Sequence, residues 1–96
     1  MIIRDPEKVD LCEMIITVLW RVDKELVPDK IHGRIIYHQG EYDKPISLAD
    51  IQKRYPKVSM VIAENGLEGK VYRYGNNKDE NGKPLWEEVG KTQGYA

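Results

Sequence analysis

Between residues 6 and 26, polar Asp10, Glu13, Thr17, Arg21 and Lys24 recur every three or four positions. Leu11, Cys12, Ile15, Val18, Leu19, Val22 and Leu26 fill most of the remainder. This is the rhythm of an α-helix that exposes one narrow polar stripe and buries the rest. Asp5, Pro6 and Glu7 ahead of it supply a capping side chain, a first-turn proline and a charge that complements the positive end of the helix dipole. The pattern therefore predicts a long N-terminal helix over residues 6–26. A strand over 15–22 competes with it, because Ile15, Ile16, Thr17 and Val18 form a β-branched run; the stripe and the start signal favour the helix.

Beyond Pro28 the period changes to two. Residues 31–38 alternate imperfectly, with Ile31, Ile35 and Tyr37 on one face and His32, Arg34, Ile36 and His38 on the other, which reads as a strand. Residues 40–45 are turn-rich. Ser47 and Asp50 then make a capping pair that opens a short helix running to about Tyr55, before Pro56. Residues 58–63 are apolar on both faces except at Ser59, as a central strand is. Asn65-Gly66 marks a turn, and residues 70–75 and 85–90 read as two strands joined by the polar loop 76–84. The expected fold is α+β: a single domain over residues 1–96, with a long N-terminal helix and a short second helix on a mostly antiparallel sheet of about four strands. The sheet ends in a C-terminal hairpin, and the polar residues 91–96 read either as a flexible tail or as an ordered segment that adds a further strand or docks on a partner.

If Val71 opposes Val89 in that hairpin, then Arg73 falls opposite Glu87, Tyr74 opposite Trp86 and Tyr72 opposite Glu88, because opposed residues share a face. One face then carries Tyr72, Tyr74 and Trp86, with Lys70 and Glu88 beside them. Such a face is either packed beneath the helices or a binding surface, since Tyr, Trp and Arg are favoured anchors of protein interfaces. The chain has no Phe, so Tyr and Trp supply all its aromatic packing.

Charge narrows the choice of partner. Lys and Arg number 15 against 16 Asp and Glu, so no strong field draws the chain to a phosphate backbone or an anionic membrane. Lys70, Tyr72, Arg73 and Tyr74 do interleave base and aromatic as single-strand nucleic-acid platforms do, and Lys53, Arg54 and Lys57 add charge. Glu64, Glu68, Glu87 and Glu88 flank the same hairpin and oppose that use. Cys12, the single cysteine, allows no internal disulfide and fits a reducing cytoplasm. On an apolar helix face it reads as a buried, inert thiol. No targeting segment is visible at the start of the sequence, and the apolar run 14–20 is far short of the roughly 20 residues that cross a bilayer.

Catalytic signatures are absent from the sequence: no phosphate loop, nucleophile elbow, dinucleotide fingerprint or zinc-protease motif occurs. His32 and His38 on one regular strand stand about 20 Å apart and cannot share an ion. Glu41 and Asp43 near His38 have no recognised ligand spacing. Glu87 and Glu88 point to opposite faces of a strand and cannot act as a paired acid and base.

The sequence thus predicts a non-enzymatic, cytoplasmic protein-interaction module without cofactor or metal. A regulator, adaptor or inhibitor, including one encoded by a phage or mobile element, fits that description. It would bind a protein through Lys70, Tyr72, Arg73, Tyr74, Trp86 and Glu88. The alternatives are a nucleic-acid-binding module using the same face, and a small metal protein or enzyme using the His32 and His38 region. The width of the N-terminal helix's apolar face further suggests a homo-oligomer formed through it.

Overall fold

The computed structural model describes residues 1–20, 33–37 and 47–94. Within them six strands form one antiparallel sheet: β1 (Ile2–Ile3), β2 (Ile15–Trp20), β3 (Gly33–Tyr37), β4 (Val58–Glu64), β5 (Gly69–Lys78) and β6 (Pro84–Thr92). They lie in the order β1-β6-β5-β4-β2-β3. The one α-helix among the described residues, α1 (Leu48–Arg54), sits in the chain between β3 and β4. Both of those strands run antiparallel to the β2 between them.

The long N-terminal helix is not formed, and the expected two-helix, four-strand α+β arrangement is replaced by a mostly sheet architecture. The start signal at Asp5, Pro6 and Glu7 produces a single 3-10 turn, Pro6–Lys8, with no side-chain cap on Asp5. Asp10 then bridges to Ser47, its carboxylate accepts the Cys12 N–H at 2.8 Å, and Glu13 takes a left-handed φ of 63° that no helix accommodates. From Ile15 the β-branched run enters the sheet as β2, between β3 and β4. A strand with neighbours on both edges and apolar residues on both faces lacks the clean alternation that distinguishes strand from buried helix. Residues 21–26 of the expected helix lie outside the described residues, as do the turn at 40–45, Ile31, Tyr42 and Tyr95.

The second half follows its local signals more closely. Ser47 Oγ accepts the Asp50 N–H at 3.2 Å while Asp50 Oδ2 accepts the Ser47 N–H at 3.1 Å, a complete capping box at the start of α1. β4 is interior to the sheet, between β5 and β2, as expected of a central strand. The hairpin is longer than its apolar residues indicate. β5 extends to Lys78, and residues 79–83 turn around Asp79, whose Oδ1 accepts the Asn81 and Lys83 N–H groups at 2.8 and 2.9 Å. Lys91 and Thr92 complete β6 rather than joining a flexible tail.

One face of the sheet holds the core. Ile16, Val18, Val58, Val61, Ala63, Tyr72 and Trp86 are buried together with Leu11 from the loop before β2 and with Leu48 and Ile51 of α1. Helix α1 and the 3-10 turn touch one another over this face. The N-terminus closes the far edge: the Met1 ammonium donates to the Glu88 carbonyl at 2.9 Å, and the Glu88 N–H donates to the Met1 carbonyl at 2.8 Å.

Candidate functional site

Strand alternation sorts the six sequence-predicted binding residues onto two faces. The β5–β6 register opposes Tyr72 to Glu88, Arg73 to Glu87 and Tyr74 to Trp86. Val71 pairs with Gly90 instead of Val89, because β6 carries an extra residue in a bulge at that point. Lys70, Tyr72, Tyr74, Trp86 and Glu88 therefore share the face that α1 covers, and Arg73 stands on the other, open in that none of the described helices lies over it.

On the covered face the rings serve packing. Tyr72 is 4 % exposed and Trp86 2 %, so neither offers surface to a partner. Tyr74, half-buried at the margin, meets Trp86 with ring centroids 4.8 Å apart and planes at 46°, an ordinary tilted aromatic pair. Lys70 Nζ lies 3.6 Å from Glu88 Oε1. The Tyr72 hydroxyl is held above its ordinary pKa, first by burial and then by the Glu88 charge beside it; both disfavour the phenolate.

A second aromatic group borders the core near β3. Tyr55, at the end of α1, stacks with Trp20 at 6.0 Å and 12°, and meets Tyr37 at 6.0 Å and 51°. Trp20 lies directly over Gly33, where an added Cβ would fall 1.9 Å from the indole. Lys53 and Lys57 are exposed on either side of Tyr55 in the chain. Sequence reading treats Trp20 and Tyr55 as separate features, because their stacking depends on where α1 lands.

The open face is ordered into three rows across the strands. The first runs Arg34, Leu19, Met60, Arg73, Glu87, Ile2; the second Ile36, Thr17, Ile62, Val71, Gly90; the third Ile15, Glu64, Gly69, Thr92. Ile36 and Ile2 are 40 % and 37 % exposed, while Leu19, Met60, Ile62 and Val71 are half-buried. Thr17 is buried between its row neighbours Ile36 and Ile62. Arg73 opposes Glu87 without an ion pair between them among the described residues. Thr92 Oγ1 donates to Glu64 Oε2 at 3.1 Å. This continuous apolar band, edged by both signs of charge, is absent from the sequence-predicted site. Its one legible signal is the two-sided apolar pattern of 58–63.

His32, His38, Glu41 and Asp43 lie outside the described residues. Among the described residues no group of three or more His, Cys, Asp or Glu side chains converges as a metal site would. Cys12 is half-buried in the turn before β2, not on a helix. No described helix is long and apolar enough to cross a membrane. Comparison with protein-family models, curated proteins and solved structures finds no match to this chain.

Proposed function

We propose that this chain is a small, non-enzymatic protein-interaction module that engages its partner through the open face of the sheet. The observation that carries the reading is the apolar group Ile36, Ile62 and Val71 of the second row beside Leu19 and Met60 of the first, with Ile36 40 % exposed, flanked by Arg34, Arg73, Glu64 and Glu87. An apolar centre with a charged margin is the usual anatomy of a protein interface. Arg73 is the residue of the expected hairpin site that stands on this face, and its planar guanidinium suits an interface anchor. A regulatory, adaptor or inhibitory role in the cytoplasm, including for a phage or mobile element, belongs to the same proposal.

The test is capture of partners from a nuclease-treated extract by wild type, Ile36→Glu and Arg73→Glu, each shown by circular dichroism to be folded. A bound protein lost by both variants supports the reading; an unchanged set of bound proteins refutes it. A second reading is favoured by Lys53 and Lys57 beside the Trp20 and Tyr55 stack, which together suit a single-stranded nucleic acid. It predicts binding to a fluorescent oligonucleotide that weakens steeply as salt rises.

A further inference from the structure

We infer that the partner of the open face is a second copy of this chain, packed face to face about a two-fold axis that lies along the second row; this rests on the reading of that face as an interface. Successive same-face residues on a strand are about 6.6 Å apart, so the outer rows stand about 6.6 Å on either side of the apolar one. A two-fold axis along that row stacks Ile36, Ile62 and Val71 against the same row of the copy and places the first row over the copy's third. Arg73 then arrives above Gly69, between Glu64 and Thr92, which flank Gly69 in the third row.

The third row is built to receive it. Gly69 has no side chain, and a Cβ there would fall 2.2 Å from Thr92 Oγ1 and 2.6 Å from Glu64 Cγ, so these two side chains close over the glycine. Their hydrogen bond holds the Glu64 carboxylate beside the place where the guanidinium comes. Symmetry makes the contact twice. Within one chain Glu64 and Arg73 cannot meet, because Glu64 is opposed by Gly69, four residues and about 13 Å from Arg73.

A two-fold axis along the strands keeps each row on itself and reverses the strand order, setting Arg73 over Met60 and Glu87 over Leu19 beside Arg34. It pairs Glu87 with Arg34 and leaves Arg73 and Glu64 without an opposite charge, so substitutions at Arg73 and Glu64 separate the two arrangements. The three rows hold six, five and four described positions, which at about 4.8 Å by about 6.6 Å each cover about 480 Å². This is below the roughly 800 Å² per partner of standard interfaces and in the range of weak ones, so the dimer forms at high concentration. Mixed charge at the margin, Arg34 and Arg73 against Glu64 and Glu87, suits a self-complementary partner better than a polyanion or polycation.

Sedimentation of wild type, Arg73→Glu, Glu64→Arg and an equimolar mixture of the two variants, at high micromolar concentration, tests the arrangement. Wild type sediments as a dimer. Each variant alone places like charges together twice and dimerises at least about tenfold more weakly. The mixture regains the dimer, because in the heterodimer both pairs are again opposite in sign, whereas damage to the fold would not be repaired by mixing. A monomeric wild type, a variant that stays fully dimeric or a mixture that stays monomeric overturns the inference. If either variant fails to fold, Ile36→Glu replaces it, and a dimer unaffected by that change overturns the inference equally. A monomeric wild type whose captured partner is still lost on Ile36→Glu leaves the interaction reading standing with a different protein on the face. A dimer accompanied by capture that no open-face variant alters sinks the interaction reading alone.

Discussion

Replacing Trp86 by Ala tests whether the hairpin rings belong to the core. Trp86 is 2 % exposed and lies in β6 between Ile3 of β1 and Tyr74 of β5. A buried tryptophan removes on the order of 200 Å² from water, which at about 25 cal/mol per Å² amounts to about 5 kcal/mol as an upper value. Large-to-small substitutions of buried aromatics cost about 3–5 kcal/mol, and the tilted pair with Tyr74 adds about 1 kcal/mol of its own. A domain of 96 residues has a total stability of roughly 5–14 kcal/mol, so a loss of about 4 kcal/mol leaves it marginal. Urea unfolding followed by far-UV circular dichroism measures the change, with Val89→Ala, 39 % exposed on the same strand, as the control expected within about 0.5 kcal/mol. A cycle with Tyr74→Ala should return a coupling near 1 kcal/mol. A loss below about 1 kcal/mol for Trp86→Ala, or one equal to the Val89 control, would refute the placement of the ring.

Two further outcomes follow from the structure. Gly33→Ala drives a methyl into the Trp20 indole and should cost about 1–3 kcal/mol by overpacking, with a shift in tryptophan emission as the ring leaves Tyr55; an unchanged spectrum and midpoint would show that the indole does not lie over Gly33. Tyr72 has a folded-state pKa raised above its unfolded value of 10.0. Between those two values the unfolded chain has lost the proton that the folded chain keeps, so this contribution is intact below the unfolded pKa and declines as pH rises through the folded one. Absorbance titration at alkaline pH should show in wild type a tyrosine ionisation above the ordinary value of 10.0 that is missing in Tyr72→Phe.

What could be read locally was read correctly where local chemistry acts alone. Ser47 and Asp50 close a capping box wherever the chain runs next, and the apolar residues of 58–63 mark a strand in the interior of the sheet. The opposition of Tyr72, Arg73 and Tyr74 to Glu88, Glu87 and Trp86 likewise follows from two short strands close in sequence. The register slips twice, at Val71 against Gly90, where β6 carries an extra residue, and beyond Tyr74, where Asn77 pairs with Leu85 because β5 carries two; such bulges add residues that the apolar pattern does not announce. For the site, the pattern grouped the right rings on one face but did not show which face is covered.

Residues 6–20 show where such reading ends. Their apolar positions satisfy a buried helix and a buried strand alike, and the capping signal at Asp5 to Glu7 acts over one turn only. Ile15–Trp20 became a strand because β3 and β4 supply hydrogen-bonding partners on both edges, a contribution from residues far along the chain that no local propensity contains. The same pairing decided which side of the sheet α1 covers, and hence that Trp86 became core while Ile36, on a strand of similar alternation, was left at the surface. The sequence by itself therefore determined the cap of α1, the central strand and the opposition of residues 72–74 to 86–88 in the hairpin. Tertiary structure decided the fate of the N-terminal apolar run and the identity of the open face, because burial is settled by what packs opposite a residue.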